Sequence, residues 1–320
     1  MRALIGPNPL HLEDALPSLS RDYPEVVFQH CGERNGLAAA LGAAEIYMGW
    51  LTREEFLGAA HLRWVQSPST GIDSFLAIPE IARSEILLTS ARGTHAAVLA
   101  EHTFALLLAF TRGLPRFLDE QRAHEWTNRK WRPSLVELTG STMGIVGFGT
   151  VGRAIARRAQ AFDLRIVATD ALPGDKPDYV TWLRDAGGLG DLLRVSDYIV
   201  VTVPLTQDTR NLLSEAELSL VKPTAILIGI SRGGIIDEGA LVRALNAGRL
   251  AGAALDVVSD EPLESESVLW DTPNLLITPH VAGGTQYETE HILAIFRKNL
   301  SRYLAGELPL VNQIDKRRGF

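Results

Sequence analysis

The stretch "GIVGFGTVG", residues 144–152, decides how the chain is read. Gly147, Gly149 and Gly152 form G-x-G-x-x-G behind an apolar run, "TMGIVGF", and ahead of a helical pattern, "VGRAIARRAQAF". Three glycines alone are a weak signal, because glycine also marks ordinary turns. The strand before and the helix after make them specific. In such a unit the first glycine permits the tight turn and the second lets a pyrophosphate approach the backbone. The third lets the helix pack close to the strand, with its N-terminal amides facing the phosphates. Asp170 ends the next apolar run, "RIVATD", about 20 residues on, where a carboxylate can accept from both ribose hydroxyls. Its charge would repel a 2′-phosphate, so NAD is expected as the cofactor in preference to NADP.

Working outward, the same alternation continues. "YIVVTVP", "AILIGIS", "AGAALDV" and "NLLITP" read as strands, with helical patterns such as "EGALVRALNAG" between them. A separate series precedes it: "RALIG", "EVVFQ", "EIYMGW", "LRWVQS" and "EILLTS", spaced by "LEDALPSLSRDY" and "REEFLGAAH". Strands alternating with helices argue for parallel sheets with crossover helices. The expected fold is α/β with two doubly wound parallel-sheet domains. Two stretches, "HAAVLAEHTFALLLAFTR" and the amphipathic "TQYETEHILAIFRKNLSRYLAG", read as long helices where the chain crosses between domains. The expected division is 1–95 with 285–320 as one domain and 96–284 as a cofactor domain inserted into it. "RFLDEQRAHEWTNRKWRPSL" reads as a helix and an arm near an interface.

Composition narrows the class. The 320 residues are 46% hydrophobic, enough for two cores, and a net charge of -7 argues against nucleic acid or an anionic membrane as the main partner. The one cysteine, Cys31, cannot form an internal disulfide, which fits a reduced cytosol. No apolar run reaches the ~18 residues of a membrane span, and no long apolar leader opens the chain. Phosphoryl and acyl transfer drop away, since neither a P-loop lysine motif nor a nucleophile elbow is present.

Polar residues stand at the ends of the later strands, where doubly wound folds keep their ligands. Arg232 follows "AILIGIS", and an arginine there can grip a carboxylate with two parallel hydrogen bonds. Asp256 and Glu261 follow "AGAAL", and His280 follows "NLLITP" with its backbone constrained by Pro279. Imidazole passes protons near neutral pH, and a carboxylate on its far nitrogen fixes the tautomer. His280 is thus expected as the acid/base partner of a hydride transfer. His95, Glu101 and His102 could suggest a metal, but neighbours on a helix point apart by about 100°. A polar cluster is expected there, and no metal.

With these motifs in order, the chain resembles the D-isomer-specific 2-hydroxyacid dehydrogenase family over nearly its whole length. The segments that carry the resemblance are "GIVGFGTVGRAIA", "TVPLTQDTRNLL", "ISRGGIIDEGALVRAL", "AALDVVSDEPL" and "NLLITPHVAGGT". The resemblance implies a Rossmann cofactor domain inserted into a flavodoxin-like substrate domain. It implies that Arg232, Glu261 and His280 are catalytic. Gly147, Gly149, Thr150, Val151 and Gly152 would form the pyrophosphate loop, with Asp170 on the ribose. Val203, Pro204 and Thr209 would lie by the adenosine, and Ile230, Ser231, Asp256 and Gly283 by the nicotinamide. Ser69, Thr70 and Gly71 in "SPSTGID" would offer backbone amides to the substrate carboxylate, beside Arg232. "SPSTGID" is less glycine-rich than the family's usual loop. The resemblance further implies a homodimer and a small 2-oxoacid or D-2-hydroxyacid substrate of the glyoxylate or hydroxypyruvate type. The alternatives are a 3-phosphoglycerate dehydrogenase and an NAD-sensing, corepressor-like binding protein.

Overall fold

The computed structural model describes residues 1–317, so the end of the expected 285–320 segment, residues 318–320, lies outside the described residues. The chain divides into two compact units, Met1–His95 with Thr285–Phe320, and Ala96–Gly284.

The first unit holds five strands: β1 (Arg2–Ile5), β2 (Val27–His30), β3 (Ile46–Met48), β4 (Trp64–Gln66) and β5 (Leu87–Thr89). They pair in parallel in the order β2-β1-β3-β4-β5, the flavodoxin-like order. Side chains alternate across a strand, so β1, β3, β4 and β5 feed two cores, while the edge strand β2 packs only Phe28. Ala3, Ile5, Ile46, Met48 and Trp64 go to one face, and Leu4, Tyr47, Val65 and Leu88 go to the other. The helix Glu288–Leu304 closes the first face with Ile292, Phe296 and Leu300 at helical spacing, Phe296 stacking on Trp64 at 5.5 Å between ring centroids.

The second unit holds seven strands: β6 (Thr142–Val146), β7 (Arg165–Thr169), β8 (Trp182–Arg184), β9 (Tyr198–Val201), β10 (Ile226–Gly229), β11 (Gly252–Leu255) and β12 (Leu275–Ile277). Their order is β12-β11-β10-β9-β6-β7-β8, all parallel, a Rossmann sheet extended by one strand. Met143, Ile145, Ile166, Tyr198 and Val200 face one core, and Val146, Val167, Ile199 and Val201 face the other. The helix Ala96–Thr111 packs Ala100, Phe104 and Leu107 into the first of these cores while Glu101 and Ala105 stay exposed. No single helix among the described residues is long and apolar enough to cross a membrane.

The topology fixes where a ligand can sit. Chain order reverses between β6 and β9, and a doubly wound sheet opens a crevice at the carboxyl ends of the strands beside such a reversal.

Candidate active site

The glycine loop sits at that reversal. Gly147 adopts φ +99°, and a Cβ there would lie 2.9 Å from the Val203 amide nitrogen, so the ends of β6 and β9 meet without room for a side chain. A Cβ on Gly152 would lie 2.2 Å from the Gly147 carbonyl oxygen, which is how closely the helix Thr150–Ala161 approaches its strand. Gly149 differs from both: a Cβ there meets nothing within 4 Å. Its bareness serves nothing inside the protein, and the space in front of it can admit a pyrophosphate. Thr150 is exposed and Val151 half-buried on the helix's first turn.

Asp170 reaches back to this loop. Its Oδ2 accepts from the Phe148 amide at 2.7 Å and its Oδ1 from the Leu172 amide at 2.9 Å. Each carboxylate oxygen keeps a second lone pair, enough for two ribose hydroxyls. Across the reversal, Thr209 builds its own loop: its hydroxyl donates to the Pro204 carbonyl at 2.6 Å and accepts from the Thr206 amide at 2.7 Å. Val203 is half-buried against the core and Pro204 is exposed.

The ends of β10, β11 and β12 carry the polar groups. Ile230 is buried, and Ser231 Oγ is a buried hydroxyl without a hydrogen-bond partner among the described residues. An orphaned buried hydroxyl at a strand end is a position that a bound ligand can satisfy. Next to it, Arg232 Nη1 donates to the Ser231 carbonyl at 2.7 Å.

The structure brings Glu261 and His280 together. Glu261 Oε2 lies 2.6 Å from His280 Nδ1, and Glu261 Oε1 accepts from the Val258 amide at 3.1 Å. An ionised carboxylate only accepts, so Nδ1 carries the hydrogen and Nε2 is left for a substrate. Nε2 has no partner among the described residues, and the ring is half-exposed. His280 sits at φ +54°, the left-handed region, a local reshaping that the preceding proline did not announce.

Asp256 holds that turn in place. Only 2% exposed, it accepts from the Thr278 hydroxyl at 2.5 Å, the Val281 amide at 3.0 Å and the Ala282 amide at 2.9 Å. Its own carbonyl accepts from the His280 amide at 2.8 Å. Because Thr278 gives its one proton to Asp256, its oxygen accepts from His102 Nε2 at 3.0 Å. Sequence reasoning named Asp256 and missed Thr278 and His102 as its partners, since a contact spanning 176 positions leaves no local pattern. Gly283 is half-buried at the end of the same turn. Glu101 instead pairs with Arg158 at 3.0 Å, so it and its neighbour His102 go to different partners.

In the first unit, the loop after β4 holds Ser69, Thr70 and Gly71. The Ser69 amide donates to Ser67 Oγ at 3.1 Å and is engaged within the loop. The amides of Thr70 and Gly71 have no partner among the described residues.

A seven-stranded Rossmann sheet with a glycine turn at its reversal and a histidine–carboxylate pair at its strand ends is the frame of a dinucleotide-dependent oxidoreductase. The comparisons with known proteins make this specific. Residues 104–282, more than half of the chain, match the model of the D-isomer specific 2-hydroxyacid dehydrogenase NAD binding domain. Glyoxylate reductase of Pyrococcus furiosus is 36% identical over 274 residues, covering 82% of this chain and 80% of its own. A D-isomer specific 2-hydroxyacid dehydrogenase family protein from Aeromonas salmonicida superposes with TM-score 0.87 at 29% identity, over 98% of this chain and 99% of its own. The NADPH-dependent glyoxylate/hydroxypyruvate reductase of Sinorhizobium meliloti gives TM-score 0.86 at 26% identity, covering both chains fully. The chain belongs to the D-isomer specific 2-hydroxyacid dehydrogenase family. It is an oxidoreductase of 2-oxoacids and 2-hydroxyacids with an NAD binding domain.

Proposed function

We propose that the protein reduces a small 2-oxoacid of the glyoxylate or hydroxypyruvate type to its D-2-hydroxyacid with NADH. The observation that carries this reading is the Glu261–His280 pair at 2.6 Å, with Nε2 open, at the end of the strand neighbouring the one that bears Asp256. Bound NADH supplies the hydride to the substrate's carbonyl carbon. The protonated His280 ring gives its Nε2 proton to the carbonyl oxygen as charge develops there, and Glu261 holds the Nδ1 side of the ring so that Nε2 points outward. Arg232 grips the substrate carboxylate. In the first unit, the loop that holds Ser69, Thr70 and Gly71 is itself a carboxylate-binding loop, through the amides of Thr70 and Gly71. In the reverse direction the same nitrogen accepts the hydroxyl proton.

The cofactor would lie along Gly147, Gly149, Thr150, Val151 and Gly152 by its pyrophosphate and on Asp170 by its ribose. Val203, Pro204 and Thr209 would flank the adenosine. The nicotinamide would meet Ser231, Asp256 and Gly283, with buried Ile230 beneath it. Asp170 supports NADH over NADPH, because a 2′-phosphate would face a carboxylate that already organises the loop. A cytosolic homodimer is the form we propose, the single cysteine fitting a reducing compartment and the family resemblance the dimer.

Initial rates with NADH and with NADPH over glyoxylate, hydroxypyruvate, pyruvate and 3-phosphohydroxypyruvate test the reading. A preference for NADH with glyoxylate or hydroxypyruvate is expected. Preference for the phosphorylated acid would move the assignment to 3-phosphoglycerate dehydrogenase. Binding of NADH without turnover of any of these acids would favour a sensing protein.

A further inference from the structure

One buried titratable side chain in the first unit has no part in the mechanism above. His95 is 7% exposed, yet both of its ring nitrogens meet polar groups. Nδ1 lies 3.0 Å from Thr70 Oγ1 and 2.8 Å from Thr94 Oγ1, and Nε2 lies 3.4 Å from Glu288 Oε1. The Thr94 hydroxyl gives its proton to the Ala91 carbonyl at 2.7 Å, so towards His95 its oxygen can only accept. Nδ1 is therefore a donor, and it faces the hydroxyls of Thr94 and Thr70 together.

Thr70 is the residue whose amide, with that of Gly71, stands free in the loop after β4. Other ties of this loop act one residue earlier. Trp50 Nε1 donates to Ser69 Oγ at 3.2 Å, the Ser69 carbonyl accepts from the Ala91 amide at 3.0 Å, and the Ser69 amide is engaged by Ser67. Among the described residues, His95 alone grips the Thr70 side chain. We infer that His95 is a positioning residue for substrate binding, fixing Thr70 so that the Thr70 and Gly71 amides are presented to the 2-oxoacid's carboxylate. The inference rests on the reading of this loop as the carboxylate-binding loop.

A residue that orders the carboxylate site weakens substrate binding when removed and leaves the cofactor untouched. His95→Ala is expected to raise KM for the 2-oxoacid about tenfold, with KM for NADH unchanged within about twofold. His95→Asn, which keeps a donor near the Nδ1 position, should return the substrate KM to within about threefold of wild type. Thr70→Val should reproduce the His95→Ala effect, and the double variant should be no worse than either single. Additive losses, or KM for substrate and NADH rising in step, or a fall in Tm with both KM values unchanged, would overturn the inference. Gly71→Pro removes one of the two amides and tests the loop separately. If it raises the substrate KM while His95→Ala does not, the role of His95 alone is wrong. If Gly71→Pro leaves that KM unchanged, the loop reading fails and the inference with it.

Discussion

Glu261 Oε2 stands 2.6 Å from His280 Nδ1, while the other oxygen of Glu261 is held by the Val258 amide. The carboxylate is fixed on both sides, so it orients the imidazole. His280→Ala should lower kcat by about 10²–10⁴-fold, the range typical of losing a general acid. Glu261→Gln keeps the shape and loses the charge, and should lower kcat by only on the order of tenfold. Steady-state rates with glyoxylate and NADH measure both, and a His280→Ala enzyme with wild-type kcat would sink the proton relay.

The two glycines flanking Thr150 and Val151 should separate folding from binding. Gly152→Ala forces a Cβ against the Gly147 carbonyl, and overpacking of this kind costs roughly 1–3 kcal/mol. Its Tm should fall. Gly149→Ala meets open space at φ −74°, so Tm should stay within about 3 °C while the NADH Kd rises roughly tenfold, which is about 1.4 kcal/mol. Thermal denaturation alongside NADH titration reads both effects. Unchanged affinity in Gly149→Ala would remove the pyrophosphate from that space.

A pH dependence of stability follows from the capping box at Ser214. Glu217 Oε2 accepts from the Ser214 hydroxyl at 2.5 Å and the Ser214 amide at 3.1 Å, and the hydroxyl's bond chiefly lowers the Glu217 pKa below its ordinary 4.5. A depressed carboxylate pKa stabilises the fold above the unfolded value, and that contribution disappears as pH falls through the folded value. Wild type should therefore exceed Glu217→Gln in Tm at neutral pH, and the gap should close as the solution is taken below pH 4.5. A gap that widened with acid would contradict the assignment. Ser214→Ala should cost about 1 kcal/mol, the usual loss of an N-cap.

Local patterns made much of this molecule legible. Every strand with a continuous apolar run, such as "TMGIVGF" or "AILIGIS", could be placed from the sequence because a parallel sheet is covered on both faces. β8 could not. It is three residues at the sheet edge, "WLR", half-buried at best, and an edge strand needs no apolar run. The short helices Asp73–Leu76 and Pro79–Arg83 escaped for a similar reason, being too brief to show a period. At the site, Glu261 and His280 could be named because strand ends and their chemistry are local. The partners of Asp256 and the grip of His95 on Thr70 are side-chain bonds between distant positions, invisible to spacing or periodicity. The left-handed turn at His280 is held by Asp256, through the Val281 and Ala282 amides.

The division of the chain at His95 and Gly284 also sets an order of events during synthesis. The second unit is one uninterrupted segment and can fold as soon as it leaves the ribosome. The first unit cannot be completed until the segment from Phe296 to Ile314 has been made. Phe296 on the last helix stacks on Trp64, Asn299 donates to Gln66 at 3.2 Å, and the Ile314 amide donates to the Leu88 carbonyl at 2.8 Å. At roughly 5–20 residues per second, β1 to β5 wait on the order of 10–40 s with the face formed by Ile5, Met48 and Trp64 uncovered. β1 to β5 are thus made before the second unit and sealed after it, and their uncovered apolar face is the surface a chaperone would shield meanwhile.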